Sequence, residues 1–193
     1  ILRKSDLLGY RTPEMNSRVI VSMFADDTTV FLRKEDDFVI LQMLLKVWCT
    51  ASGAKFNIHK TEVIPIGSKE HRAEVVRTRC LRRGSTPLPE NVRIAADGTA
   101  VRILGAWLGN DIDQCAVWSP IIDSIRERLN HWGRLHPTIE GRSILLQWFG
   151  CGKTQYLTQA QGMPKGVEAE LSRIFQDFTW DNAGRSTINA ETL

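Results

Sequence analysis

The sequence predicts an α+β chain, with short antiparallel strands in its first half and a helical bundle in its second. Three observations carry that prediction. VIVSMF (19–24) and TTVFLR (28–33) are rich in β-branched and aromatic residues, and only Ala25, Asp26 and Asp27 separate them, which reads as a tight β-hairpin. Asp97-Gly98, a strong hairpin dipeptide, lies between the apolar runs Val92–Ala95 and Val101–Leu108. From Ile121 to Phe178 the apolar residues recur at helical rather than alternating spacing.

The elements follow in order. After the first hairpin, charged RKEDD leads into Phe38, Leu41, Leu44, Leu45, Trp48 and Ala51, a helical stripe that stops at Ser52-Gly53. Asp36 and Asp37 favour the start of that helix through its macrodipole. KFNIHKTEVIPIG reads as extended, with Pro65 pointing to a sheet edge. Lys69–Asn91 is polar and rich in arginine, and reads as a short helix followed by a loop. Ser119-Pro120 has the form of a helix start, a cap followed by proline at the first helical position. Pro137-Thr138 breaks the chain, a second helix runs from about Glu140 to Gln161, and Met163-Pro164 ends it. A third helix spans Val167 to Trp180.

The chain has 193 residues, of which 42% are hydrophobic, enough for one good core or a small domain with a helical annex. The net charge of +3 is compatible with nucleic acid without requiring it. The cysteines, Cys49, Cys80, Cys115 and Cys151, are far apart and lack CxxC spacing, so reduced thiols are expected rather than a zinc site or a disulfide framework. No apolar run approaches the roughly 20 residues that cross a bilayer. The first residues, ILRKSDLLGYRTPE, lack the apolar core of a signal peptide, and a start at Ile1 suggests a piece of a longer protein.

Adjacent carboxylates at a rigid hairpin tip cannot easily separate, and a divalent cation relieves their repulsion. Mg²⁺ suits such a site because it takes one or two carboxylates together with substrate phosphates. The plainer reading of Asp26 and Asp27 is a polar turn.

FADD (24–27) in a hairpin resembles the acidic C motif of reverse transcriptases, and the TTVFL that follows resembles the non-LTR, LINE-type group. SGAKFNIHKTEVIPIG (52–67) is similar to the D motif region of those enzymes, and RILGAWLG (102–109) to the primer-grip strand after it. The stretch from Leu129 to Trp180 resembles their helical thumb. The similarity covers nearly the whole chain in the right order, and is nearest to fungal-type elements. It implies a partial polymerase palm of antiparallel hairpins with a covering helix over residues 1–110, and a thumb over 118–193. It implies an RNA-directed DNA polymerase, with an RNA template, a DNA primer and dNTP as partners, two Mg²⁺ ions (or Mn²⁺) as cofactors, and a nuclear location. Asp26 is then the principal metal ligand and Asp27 its neighbour. Lys60 matches the lysine proposed to protonate the leaving pyrophosphate, although a solvated lysine is the plainer alternative. Phe24 would pack behind the acids, and Gly105 would allow close approach of the primer, unless it is a β-bulge glycine.

The sequence departs from the family in one respect. The aspartate-bearing A motif and the nucleotide-contacting B motif are not found, since the first eighteen residues offer only Asp6 and Glu14 in an unlike context. The isolated chain is therefore expected to lack polymerase activity. A non-catalytic nucleic-acid-binding remnant and a structural helical module are the alternatives. Arg72, Arg77, Arg79, Arg82 and Arg83 form a candidate phosphate-binding group, or else a solvated basic face. GCGKT (150–154) imitates a phosphate loop but lacks the leading glycine and sits in a helical pattern. The tryptophans read as core, with base stacking open to one that is exposed on the thumb. His59, His71, His131 and His136 show no metal-ligand spacing.

Overall fold

A computed structural model describes residues 1–11 and 18–180. Its architecture is mixed α and β, with small two-stranded sheets and helices. The chain divides into two units, one of Ile1–Leu104 with Leu108–Ile112, the other of Gly105–Trp107 with the chain from Asp113 on. Glu14 lies outside the described residues.

In the first unit β1 (Val21–Phe24) pairs antiparallel with β2 (Asp27–Val30). Helix α1 (Phe38–Ser52) follows, and the Asp37 carboxylate caps it by accepting from Val39 N. Leu41 of α1 is buried with Leu7 and Ile20, and Val30, Leu32, Phe38, Leu44 and Leu45 pack around them. Burying a side chain such as Leu41 contributes about 1.5–3 kcal/mol.

Asp36 differs from the sequence expectation. It is 4% exposed, and its carboxylate is taken up by backbone amides outside α1. Its carboxylate accepts from Leu8 N (2.6 Å), Gly9 N (3.1 Å) and Arg33 N (2.8 Å). It thus ties the N-terminal segment to the end of β2. Gly9 has φ +60°, and a Cβ there would stand 2.6 Å from Val19 O, so the segment can lie this close only with glycine.

The rest of the unit corrects the second predicted hairpin. The region after α1 holds a 3-10 turn at Ile58–Lys60 and the two-residue strand β3 (Glu62–Val63). β4 (Arg93–Ile94) pairs in parallel with β3, not with the run after Asp97-Gly98. Between them lies α2 (Lys69–Thr78), capped by Ser68. The Asp97-Gly98 turn is real, closed by Thr99 N donating to Ala96 O, but its flanks part. Gly98 N donates to Asn110 O, and Arg72 claims the Asp97 carboxylate. The run 101–108 instead splits into β5 (Val101–Ile103) and β6 (Ala106–Leu108) at a two-residue turn, with φ 51° at Leu104 and 87° at Gly105.

The second unit is helical. α3 (Gln114–Gly133) starts earlier than expected, with Asp113 accepting from Cys115 N and Ala116 N. Pro120 therefore sits inside the helix rather than at its start. A helical proline costs about 3 kcal/mol; the helix that carries it buries Trp118, Ile122, Ile125 and Leu129. Trp118, Ile122, Ile125 and Leu129 form the stripe of α3 that meets Leu157, Val167 and Leu171. α4 (Ile139–Leu145), capped by Thr138, runs into a π-helical turn (Leu146–Cys151) and then α5 (Gly152–Gln161). α6 (Lys165–Thr179) completes the unit.

Candidate active-site hairpin

β1 and β2 pair Val21 with Val30, Ser22 with Thr29, Met23 with Thr28 and Phe24 with Asp27. Residues directly opposite share a face and successive residues alternate. Val21, Met23, Thr28 and Val30 therefore share one face, and Ser22, Phe24, Asp27 and Thr29 the other. Val21, Met23 and Thr28 line an apolar groove of about 200 Å³ together with Leu44, Trp48 and Phe56. The acids do not line it.

The turn is Ala25-Asp26 alone, and Asp27 is already the first residue of β2. Ala25 has φ 51°, a conformation that costs a residue with a Cβ roughly 1–2 kcal/mol. A positive φ at the first turn position is the ordinary geometry of two-residue hairpins, where glycine is commoner. Both Asp26 and Asp27 are exposed, and neither carboxylate makes a hydrogen bond or ion pair among the described residues. Phe24 does not pack behind them: its ring is 68% exposed. With four strand residues on each side and a two-residue turn, the tip has little hydrophobic neighbourhood to bury it.

Two free, adjacent carboxylates are hard oxygen donors and fit Mg²⁺. They do not by themselves form a complete site. Among the described residues no group of three or more His, Cys, Asp or Glu side chains is placed to hold a metal ion. Lys60 ends its 3-10 turn exposed, and its ammonium makes no bond or ion pair to Asp26 or Asp27 among the described residues.

The five arginines do not act as one group. Arg72 is 14% exposed in its side chain and is held by Asp97 (2.8 Å), Asp111 (3.2 Å) and Gly67 O (2.6 Å). The hydrogen bond from Arg72 holds the Asp97 carboxyl below the usual range, and Asp97 in turn raises the Arg72 guanidinium. Arg77 forks onto the Glu74 carboxylate at 2.8 Å. That bond lowers Glu74 and raises Arg77. Arg79 closes α2 and donates to the carbonyls of Leu88, Pro89 and Val92. Only Arg82 and Arg83 leave exposed guanidinium groups without a bond to a described carboxylate. Sequence proximity grouped Arg72, Arg77 and Arg79, which hold internal partners, with Arg82 and Arg83, which are exposed.

Gly105 occupies a turn whose φ favours glycine, and a Cβ there would stand 3.0 Å from the Tyr156 ring. Its close neighbour is a side chain of the protein. GCGKT runs through helical backbone. Thr154 Oγ1 donates to Gly150 O, and Lys153 Nζ donates to Ser124 Oγ. Burial, followed by the nearby Arg128, pushes the Lys153 ammonium down. The four cysteines are free thiols.

No protein-family model, curated protein or solved structure matches this chain.

Among the described residues no helix is long and apolar enough to cross a membrane. Sequence reasoning missed that the Asp36 carboxylate ties the N-terminal segment to the loop after β2. Asp36 carries no local signal beyond its place before the capping Asp37, because its partners are backbone amides 27 and 28 residues away as well as one nearby.

Proposed function

We propose that this chain is the rear of the palm and the thumb of a reverse transcriptase from a LINE-type retroelement. Its parent reaction is attack of a primer 3′-hydroxyl on the α-phosphate of a dNTP. A new P–O bond forms and pyrophosphate leaves, with RNA as template. The observation that carries the reading is FADD on a two-residue β-turn with both carboxylates free of internal partners. Asp26 and Asp27 would hold Mg²⁺, or Mn²⁺ in its place, and the ion would neutralise phosphate charge. Lys60, solvent-facing at the end of its turn, would serve as proton donor to the leaving group. Arg82 and Arg83 are the members of the arginine group that remain free for phosphate.

The described residues supply two carboxylates at the tip and not a third. Activity then requires a carboxylate from elsewhere. Primer extension with Mg²⁺ on an RNA template tests this. The chain alone should incorporate no dNTP. Joined to an upstream segment that supplies a strand-borne aspartate, it should extend the primer, and D26N should abolish extension. Robust extension by the chain alone, or extension that survives D26N, contradicts the proposal.

A further inference from the structure

The loop between α2 and β4 carries a pattern that the acidic hairpin does not explain. It reads CLRRGSTP over residues 80–87. Ser85 is the one serine or threonine of the sequence with arginine at both the second and the third position before it. Arg79 staples the loop at its base. Leu88 N donates to Arg79 O at 2.7 Å, the Arg79 guanidinium donates to the carbonyls of Leu88, Pro89 and Val92, and Leu88 is buried. Beyond the staple the loop is open. Arg82, Arg83, Gly84, Thr86 and Pro87 are exposed, and a Cβ on Gly84, at φ 78°, would meet nothing within 4 Å. Ser85 is half-buried, yet among the described residues its hydroxyl bonds only within its own turn. It donates to Arg82 O (2.9 Å) and accepts from Arg82 N (3.4 Å). The backbone bonds of Ser85, from its N to Arg82 O and from Cys80 Sγ to its O, also stay inside the loop. Opening the turn therefore frees the hydroxyl without breaking a bond to another element.

The charges around the turn select the enzyme that could act on it. Between Glu74 and Glu90 the chain holds Arg77, Arg79, Arg82 and Arg83 and no acid. Arg77 is forked onto Glu74, and Arg79 is spent on carbonyls. The Glu74 carboxyl is lowered first by the Arg77 hydrogen bond and last by the charge of Arg83, so Arg83 stands near Glu74 without being bound to it. Arg82 and Arg83 thus keep their guanidinium groups free of carboxylates among the described residues. Free guanidinium groups at these two positions suit an acidic cleft, because carboxylates take them bidentately, and protein kinases choose substrates by such charge patterns. A phosphate on Ser85 would bring about −1.5 to −2 charges into the turn that holds both arginines, the pairing that orders phosphorylated loops.

We propose that Ser85 is a phosphorylation site for an arginine-directed protein kinase, and that the phosphate then draws in Arg82 and Arg83. In the transfer Ser85 Oγ attacks the γ-phosphorus of ATP. The new O–P bond forms as the bond to the β-bridging oxygen breaks, ADP leaves, and the hydroxyl proton passes to the kinase's catalytic aspartate. Neither step depends on what Asp26 and Asp27 hold. The test is incubation of the folded full chain with the catalytic subunit of cyclic-AMP-dependent protein kinase, ATP and Mg²⁺, read by intact mass and fragment mapping. One phosphate, mapped to Ser85, is expected, and S85A should accept none there. R82A/R83A should be phosphorylated about 10-fold more slowly or worse, with two charge-assisted contacts to the kinase lost. Neither arginine side chain has a carboxylate partner in the fold, so R82A/R83A should unfold in urea with wild type. Phosphorus NMR tests the pairing. The second ionisation of the phosphoserine should fall below the ordinary ~6, and below that of an acetylated phosphopeptide of residues 84–90, which lacks both arginines. No phosphate on the folded chain, even where a peptide of residues 78–90 accepts one, overturns the site. So does a phosphate on Thr86 in place of Ser85, or an R82A/R83A rate equal to wild type. A phosphoserine that titrates at or above the peptide value overturns the pairing.

Discussion

Replacing Asp36 should loosen the first unit more than any other surface-distant polar change. Its carboxylate is 4% exposed and accepts three backbone N–H groups at 2.6, 3.1 and 2.8 Å. Asp36→Ala leaves three amides without their acceptor. At about 1–3 kcal/mol for each unsatisfied group, and allowing water to reach the part-buried ones, the loss is roughly 3–5 kcal/mol. That is a large share of the ~5–15 kcal/mol that holds a typical domain. Asp36→Asn is more selective. Oδ2 serves Gly9 and Arg33, and Oδ1 serves Leu8 alone. The amide oxygen should keep the pair, and the NH₂ should oppose Leu8 N–H, at a cost of about 1–3 kcal/mol. Asp37→Ala removes only a helix cap and should cost ~1 kcal/mol. Urea unfolding gives the totals, and amide hydrogen exchange at Leu8, Gly9 and Arg33 gives the distribution. Loss of protection at all three in D36A, and at Leu8 first in D36N, is expected. Unfolding of D36A within ~0.5 kcal/mol of wild type, with exchange unchanged, would refute the assignment.

Three further outcomes follow from particular contacts. Ala25→Gly relieves a positive φ of 51° and should be neutral or stabilising by up to about 1 kcal/mol, whereas alanine-to-glycine changes elsewhere in ordered backbone usually destabilise; a clear loss in urea unfolding would contradict the turn. Asp97 is held below the ordinary aspartate range near 4 by Arg72, so its contribution is full above that range and disappears as pH falls through the lowered folded value. Acid should release the Arg72 guanidinium, seen in its Nε–H resonance, and D97N should remove that acid response. Gly150→Ala would place a Cβ 2.6 Å from the Phe175 ring and should cost about 1–3 kcal/mol by overpacking in thermal unfolding of the helical unit, with a result near zero excluding tight contact there.

Much of the fold is legible because it is local. The stripe from Phe38 to Ala51 and its stop at Gly53, the Thr138 restart and the break at Pro164 are chain-local signals, and each has its element. The first hairpin is legible for the same reason: β-branched runs three residues apart have one short way to pair. The failures are cases where a distant group outbids the local signal. Asp97-Gly98 makes its turn, yet Arg72, 25 residues away, holds Asp97, and β4 takes β3 as partner. Ser119-Pro120 looks like a helix start, but Asp113 caps the helix upstream and the helix runs through both residues. At the candidate site the acids were legible as neighbours in sequence, while their freedom from internal partners was not. Likewise nothing in the sequence separates Arg79, which binds carbonyls, from Arg82, which binds none. Exposure singles out Trp148 among six tryptophans, and only packing determines exposure.

The account depends above all on Asp26 and Asp27 offering free oxygens to a divalent cation at a rigid tip. Paramagnetic broadening by substoichiometric Mn²⁺ in amide NMR spectra measures that directly. Broadening centred on residues 25–28, competed by Mg²⁺ and lost in D26N/D27N, is the predicted result. Broadening no stronger at the tip than beside a single exposed carboxylate such as Glu90, or unchanged in D26N/D27N, would contradict it.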